Sequence, residues 1–157
     1  MFGRRRFFDG LAFATCLLSG PAAVWAADKP TQSDVQQLAL KAAALVKEKG
    51  VDANRSTFDT DGEFKFGEIY VNVITDKGMR LIYPPKPAGE NFDVSEAQDV
   101  DGKYLIKDII ELANSKGEGW TQYRWTNPST NKIGDKATFV KAVPERGVIV
   151  YVGLYKL

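Results

Sequence analysis

From Ser33 onward apolar residues return every three or four positions, at Val35, Leu38, Ala42, Leu45 and Val46, while Lys41, Lys47 and Glu48 occupy the rest of each turn. That spacing predicts an amphipathic helix of about 16 residues. Ser33 and Gln36 supply a capping box at its start, and Gly50 ends it. One apolar stripe on so long a helix implies that it lies along something larger. A short helical turn is expected over residues 52–58, and the glycine-punctuated stretch 61–67 reads as loop.

The pattern then changes period. Residues 68–75 are rich in β-branched and aromatic side chains, and Asp76-Lys77-Gly78 turns the chain into residues 79–83, which gives two paired strands. Pro84, Pro85 and Pro87 cannot extend the ladder, so a long loop is expected up to about Asp101. Loops of that length inside a domain usually serve function. Leu105, Ile106, Ile109, Ile110 and Ala113 mark a second amphipathic helix, closed by Gly117 and Gly119. Three more strands are expected at residues 120–125, 137–143 and 148–155, separated by turns at Asn127-Pro128 and Glu145-Arg146-Gly147. Links this short favour antiparallel neighbours. The expected architecture is therefore α+β: a five-stranded antiparallel sheet with helices packed on it, in one domain and without repeats.

The amino end follows neither period. Arg4, Arg5 and Arg6 precede an apolar run through Leu18, and Gly20 and Pro21 lead into small residues. That order describes a secretory signal peptide, with Val24 and Ala26 in the positions that precede a cut. Residues 1–26 are accordingly expected to be removed, leaving a single domain over 27–157. The apolar run is too short and too broken by Pro21 for the roughly 20 residues of a membrane span. The string Gly3-Arg4-Arg5-Arg6-Phe7-Phe8 also resembles a twin-arginine export signal, with Asp9 as a departure from it. Either route leads to a periplasmic or secreted protein.

Composition narrows the chemistry. Lys plus Arg number 21 against 20 Asp plus Glu, a formal charge of +1. No basic excess is available to displace counterions, and nucleic acid is not an expected partner. The chain has no His, and its one Cys, Cys16, lies in the segment expected to be removed. Ser-His-Asp and Cys-His nucleophiles, His-held haem and nearly all zinc sites are thereby excluded. The acidic clusters at Asp59 and Asp61 and at Asp99 and Asp101 lack the spacing and distal Glu of a calcium loop, so turn or helix capping is their expected role. No pair of carboxylates marks a general acid and base. The chain is read as a non-enzyme that needs neither cofactor nor metal.

Five short motifs, in order, resemble a known family. They are Gly67-x-x-Tyr70-Val71-x-Val73, Asp101-Gly102-Lys103-Tyr104, Gly119-Trp120-x-x-Tyr123-x-Trp125-x-Asn127-Pro128, Lys136-x-x-Phe139-Val140 and Val152-Gly153-x-Tyr155. Together they are similar to the single Cache domain of bacterial extracellular sensors, over roughly residues 33–156. The resemblance implies a PAS-like fold in which a long amino-terminal helix lies along an antiparallel sheet, and the other face of that sheet with its covering loops makes a small-ligand pocket. It also implies a binding or sensing role without catalysis, with a small anionic metabolite such as an organic acid as ligand. A membrane sensor kinase or chemoreceptor is the candidate partner. Because the sequence stops at Leu157, a free-standing member is expected. A scaffold with no ligand is the alternative.

Strand alternation assigns the faces. In residues 120–125, Thr121, Tyr123 and Trp125 share one face; in Val148–Tyr155, Ile149, Tyr151, Gly153 and Tyr155 oppose Val148, Val150, Val152 and Leu154. The aliphatic side is expected to meet the helix and the tyrosine side to form the pocket, with Gly153 leaving room for the ligand. Tyr123, Trp125, Tyr70 and Tyr151 are the expected walls. A lysine of the fourth strand is expected to hold the carboxylate, either Lys136, which the family motif favours, or Lys141 on the opposite face.

Overall fold

The computed structural model describes residues 29–156. The expected signal peptide, its cleavage site and Cys16 lie outside the described residues. Helix α1 spans Gln32–Lys49, and its capping box is formed by Thr31 and Asp34 rather than by Ser33 and Gln36. Thr31 Oγ1 accepts from the Asp34 N–H at 3.2 Å, while the Thr31 N–H donates to Asp34 at 2.8 Å. Ser33 lies two residues past the cap, inside the first turn, where its Oγ accepts from the Gln37 side chain. Gly50 (φ +83°) ends the helix and opens α2, Val51–Asp59. Buried Asn54 stitches the two helices together by donating to the carbonyls of Leu45 (3.0 Å) and Gly50 (2.7 Å).

The strands are β1 (Lys65–Phe66), β2 (Ile69–Thr75), β3 (Arg80–Ile82), β4 (Glu118–Asn127), β5 (Lys132–Val143) and β6 (Val148–Tyr155), with helix α3 at Leu105–Lys116. They pair antiparallel in the order β1-β2-β6-β5-β4, and β3 shares the outer edge of β2 with β1. The five longer strands are the expected ones. Two-residue β1 falls within the stretch read as loop, because an element so short leaves no periodicity to detect.

Helix α1 lies on one face of this sheet. Val35, Leu38, Ala39, Ala42, Ala43 and Val46 pack there against Val71, Val73, Phe139, Val150 and Val152, all buried. The opposite face is covered by α3 through Leu105, Ile106, Ile109 and Ala113. It is covered also by the segment 84–101, which is no free loop. Its residues 91–94 run alongside β3 and the turn before it: the Arg80 N–H donates to Phe92 at 2.9 Å, the Asn91 N–H to Arg80 at 2.7 Å and the Val94 N–H to Gly78 at 2.9 Å. Buried Asp99 clamps its far end by accepting from the N–H groups of Asp101, Lys103 and Arg124. Burial pushes the Asp99 carboxyl up, but those three bonds outweigh it and hold the group below the usual range. Among the described residues no helix is long and apolar enough to cross a membrane.

Candidate functional site

The covered face encloses a cavity at the middle of the sheet. Tyr70 and Asn72 enter it from β2, Tyr123 and Trp125 from β4, Lys136 from β5 and Tyr151 from β6. Arg80 of β3 and Tyr83 just after it form one side, and Ala97, Leu105 and Ile106 form the roof. Continuous pairing of β5 with β4 and β6 puts Lys136 opposite both Tyr123 and Tyr155, so no bulge disturbs the alternation. The residues come together because each occupies the same parity of its strand.

Lys136 is the centre of the arrangement. Its side chain is 2% exposed, and Nζ donates to Tyr70 Oη at 2.8 Å. The ammonium position also lies 4.2 Å from the Tyr70 ring centre and 4.8 Å from that of Tyr155. Desolvation pulls Lys136 down to about 7, against the opposing field of Glu68. The Glu68 oxygens themselves accept from the Tyr155 N–H (3.1 Å) and the Asn127 side chain (2.7 Å).

Arg80 is a second cation on the wall, half-buried rather than buried. Its guanidinium stacks 4.2 Å over the Tyr83 ring, and its buried Nε has no hydrogen-bond partner. An unsatisfied charged donor facing a cavity is a costly feature unless something else satisfies it. Tyr83 is fixed in turn by Glu90, which accepts from the Tyr83 N–H at 2.8 Å and pairs with Arg55 of α2. Thr138 Oγ1 donates to Tyr123 Oη at 3.1 Å, and Asn72 donates to the Tyr151 carbonyl at 3.4 Å. Burial pushes the Tyr123 phenol up to about 12 and raises those of Tyr70, Tyr151 and Tyr155 as well. The phenols are therefore neutral donors and acceptors.

Of the residues expected at the site, Lys136, Tyr70, Tyr123, Trp125 and Tyr151 line this one cavity. Lys141 does not. It projects from the other parity of β5 and pairs with Glu118 at 2.6 Å, at the mouth of a separate cleft. Gly153 has another role than the one expected of it. A Cβ there would stand 2.6 Å from Lys136 Cε and 2.5 Å from Thr138 Oγ1, so the glycine makes way for the lysine's own chain. Sequence reasoning missed Arg80, Asn72 and Tyr83. An arginine between Met79 and the apolar run Leu81-Ile82-Tyr83 was the available signal for the first.

The free space at the heart of the cavity is about 20 Å³, room for about one water. Larger clefts, of about 560 and about 580 Å³, open elsewhere, but their lysines are exposed or ion-paired. Chemistry rather than size singles out the smaller cavity, since it alone of the three is lined by a buried cation, Lys136.

A sheet backed by a long helix on one face and carrying a roofed polar cavity on the other is the construction of a PAS-like sensory domain. The model of the family Single Cache domain 2 matches residues 26–156, and the chain belongs to that family. The chain is 30% identical over 86 residues to the sensor histidine kinase MctS of Rhizobium johnstonii, a match that covers 55% of this chain and 18% of that protein. It is 28% identical over 83 residues to the methyl-accepting chemotaxis protein McpP of Pseudomonas putida, covering 52% and 15% respectively. The matches thus span less than a fifth of either relative. Among solved structures, a Cache chemosensory domain described for its recognition of carboxylic acids superposes with a TM-score of 0.65 at 22% identity, covering 80% of this chain and 90% of that one. A methyl-accepting chemotaxis protein from Vibrio parahaemolyticus gives 0.65 at 15% identity, covering 76% and 82%. The family comprises sensory domains of chemoreceptors and sensor kinases, placed typically outside the cell or in the periplasm.

Proposed function

We propose that the chain is a periplasmic sensing module that binds a small organic acid beside Lys136 and passes its bound state, without catalysis, to a membrane sensor kinase or chemoreceptor. The observation that carries this reading is buried Lys136, with half-buried Arg80 lining the same cavity and no carboxylate among the described residues bonded to either. A carboxylate leaving water must recover its hydrogen bonds, and charged donors return the strongest ones. The phenols of Tyr70, Tyr123 and Tyr151 supply neutral donors around it, and Trp125, Ala97, Leu105 and Ile106 leave a short apolar tail in suitable company. The carboxylic-acid recognition described for a structural neighbour points the same way.

A carboxylate needs more than the 20 Å³ now free, so binding must spread the walls. The sheet side is locked by its ladders. The roof, formed by Ala97 and the first turn of α3, is the side able to yield, and its displacement is the structural change that a partner would read.

Thermal-shift measurements with two- to four-carbon carboxylates, amino acids and amines test this. A carboxylate at a hundred times its Kd adds about 2.7 kcal/mol of stability, which raises the midpoint by several degrees, whereas amines leave it unchanged. A panel in which amines stabilise and carboxylates do not would overturn the reading. A panel with no response would favour the scaffold alternative.

A further inference from the structure

Lys136 is buried without a counterion, and its surroundings explain what that means for binding. From β2 it faces Tyr70, with Glu68 just beyond the strand; from β6, Tyr155 and Tyr151; from β4, Tyr123. Arg80 and Tyr83 stand across the cavity, and the roof adds only apolar side chains. Among the described residues Glu68 is the carboxylate whose field bears on Lys136, and both its oxygens are engaged by other donors. The ammonium would thus have one neutral side-chain acceptor, Tyr70 Oη, for three donors, in a buried site. The neutral amine avoids the desolvation of an ammonium left with so few acceptors.

Resting on the carboxylate reading above, we propose that this site captures its anion together with a proton, the Lys136 amine taking up that proton from solvent as the carboxylate arrives. The step balances: a neutral amine, a carboxylate anion and one proton become an ammonium carboxylate pair, and nothing is oxidised or reduced. The empty site avoids an uncompensated buried cation, and the filled site is neutral at Lys136. A module built this way responds to an organic acid most strongly when its surroundings are mildly acidic.

Calorimetric titration with propionate, across pH 6 to 9 and in buffers of contrasting ionisation enthalpy, tests the proposal. Affinity should be level on the acid side of about pH 7 and fall roughly tenfold per pH unit above it, with close to one proton taken up per propionate at about pH 8. Propionate binding with a flat pH profile and no proton uptake would overturn the proposal and leave the carboxylate reading standing. If neither propionate nor any other acid of the panel binds at any pH, both fall. Lys136→Arg keeps a permanent charge and should abolish the uptake. Should that variant not fold, Cε resonances of labelled lysine in the unaltered protein give the second readout. The signal missing from Lys136→Met should titrate near pH 7 alone and at least a unit higher with saturating propionate, and an unmoved titration would contradict the proposal.

Discussion

The two faces of the sheet are made by alternate residues of the same strands, and they have been put to opposite uses. Toward α1 the alternation yields Val71, Val73, Phe139, Val150 and Val152, an aliphatic and aromatic layer closed over by the helix. One residue along each strand it yields Tyr70, Asn72, Lys136, Thr138 and Tyr151, a layer of buried polar groups around a small cavity. The first face supplies stability through burial of apolar surface. The second gives some of it back, because a desolvated lysine and an arginine with an unbonded Nε raise the energy of the folded state. A face this costly can persist because the other side of the same sheet is well packed.

That contrast can be broken from either side. Phe139→Ala removes a ring buried against Trp120 (5.3 Å between centroids) and should cost about 3–5 kcal/mol in urea unfolding. Carboxylate affinity should be unchanged as long as the domain is folded, and a loss of affinity without loss of stability would show that the faces are not separate. Gly153→Ala attacks the other face, by driving a methyl into Lys136 and Thr138. It should cost roughly 1–3 kcal/mol and weaken propionate binding as well, because the lysine must leave its place. An alanine accommodated with neither effect would contradict the packing described.

The pH dependence of stability provides a gentler probe. The unfolded chain keeps the Lys136 proton to about pH 10.4, whereas the folded protein releases it near 7. Between those values the unfolded state binds more protons, so stability rises with pH across that window, and below it the full penalty remains. The slope approaches about 1.4 kcal/mol per pH unit, measured as the thermal midpoint from pH 7 upward, and Lys136→Met should flatten it. The smallest effect belongs to Lys141→Ala, which loses a part-exposed ion pair with Glu118 and should change stability by less than about 1 kcal/mol.

Both faces were legible in the sequence where a strand is long enough to display its period. In β6, the run Val148-Ile149-Val150-Tyr151-Val152 separates them by itself, and the parity of β5 sends Lys136 and Lys141 apart. The roof was not legible. Its path depends on Asp99 bonding the backbone of Arg124 and on residues 91–94 pairing along β3, contacts that no local pattern announces. Arg80 was hidden for a related reason: a bulge at Val73 and Ile74 shifts the pairing of β2 with β3, so the direction of its side chain does not follow from alternation alone. Gly153 was noticed for the right cause, a need for space, and assigned to the wrong occupant.

The central claim is that Lys136, and not Lys141, holds a carboxylate on the polar face. Calorimetric titration of propionate into Lys136→Ala and Lys141→Ala, each checked for folding by circular dichroism, measures this directly. Loss of one charge-assisted hydrogen bond, roughly 1.5–3 kcal/mol, should weaken binding by about ten- to a hundredfold in the first variant and leave the second within about twofold of the unaltered protein. Equal affinity in both variants would contradict the account.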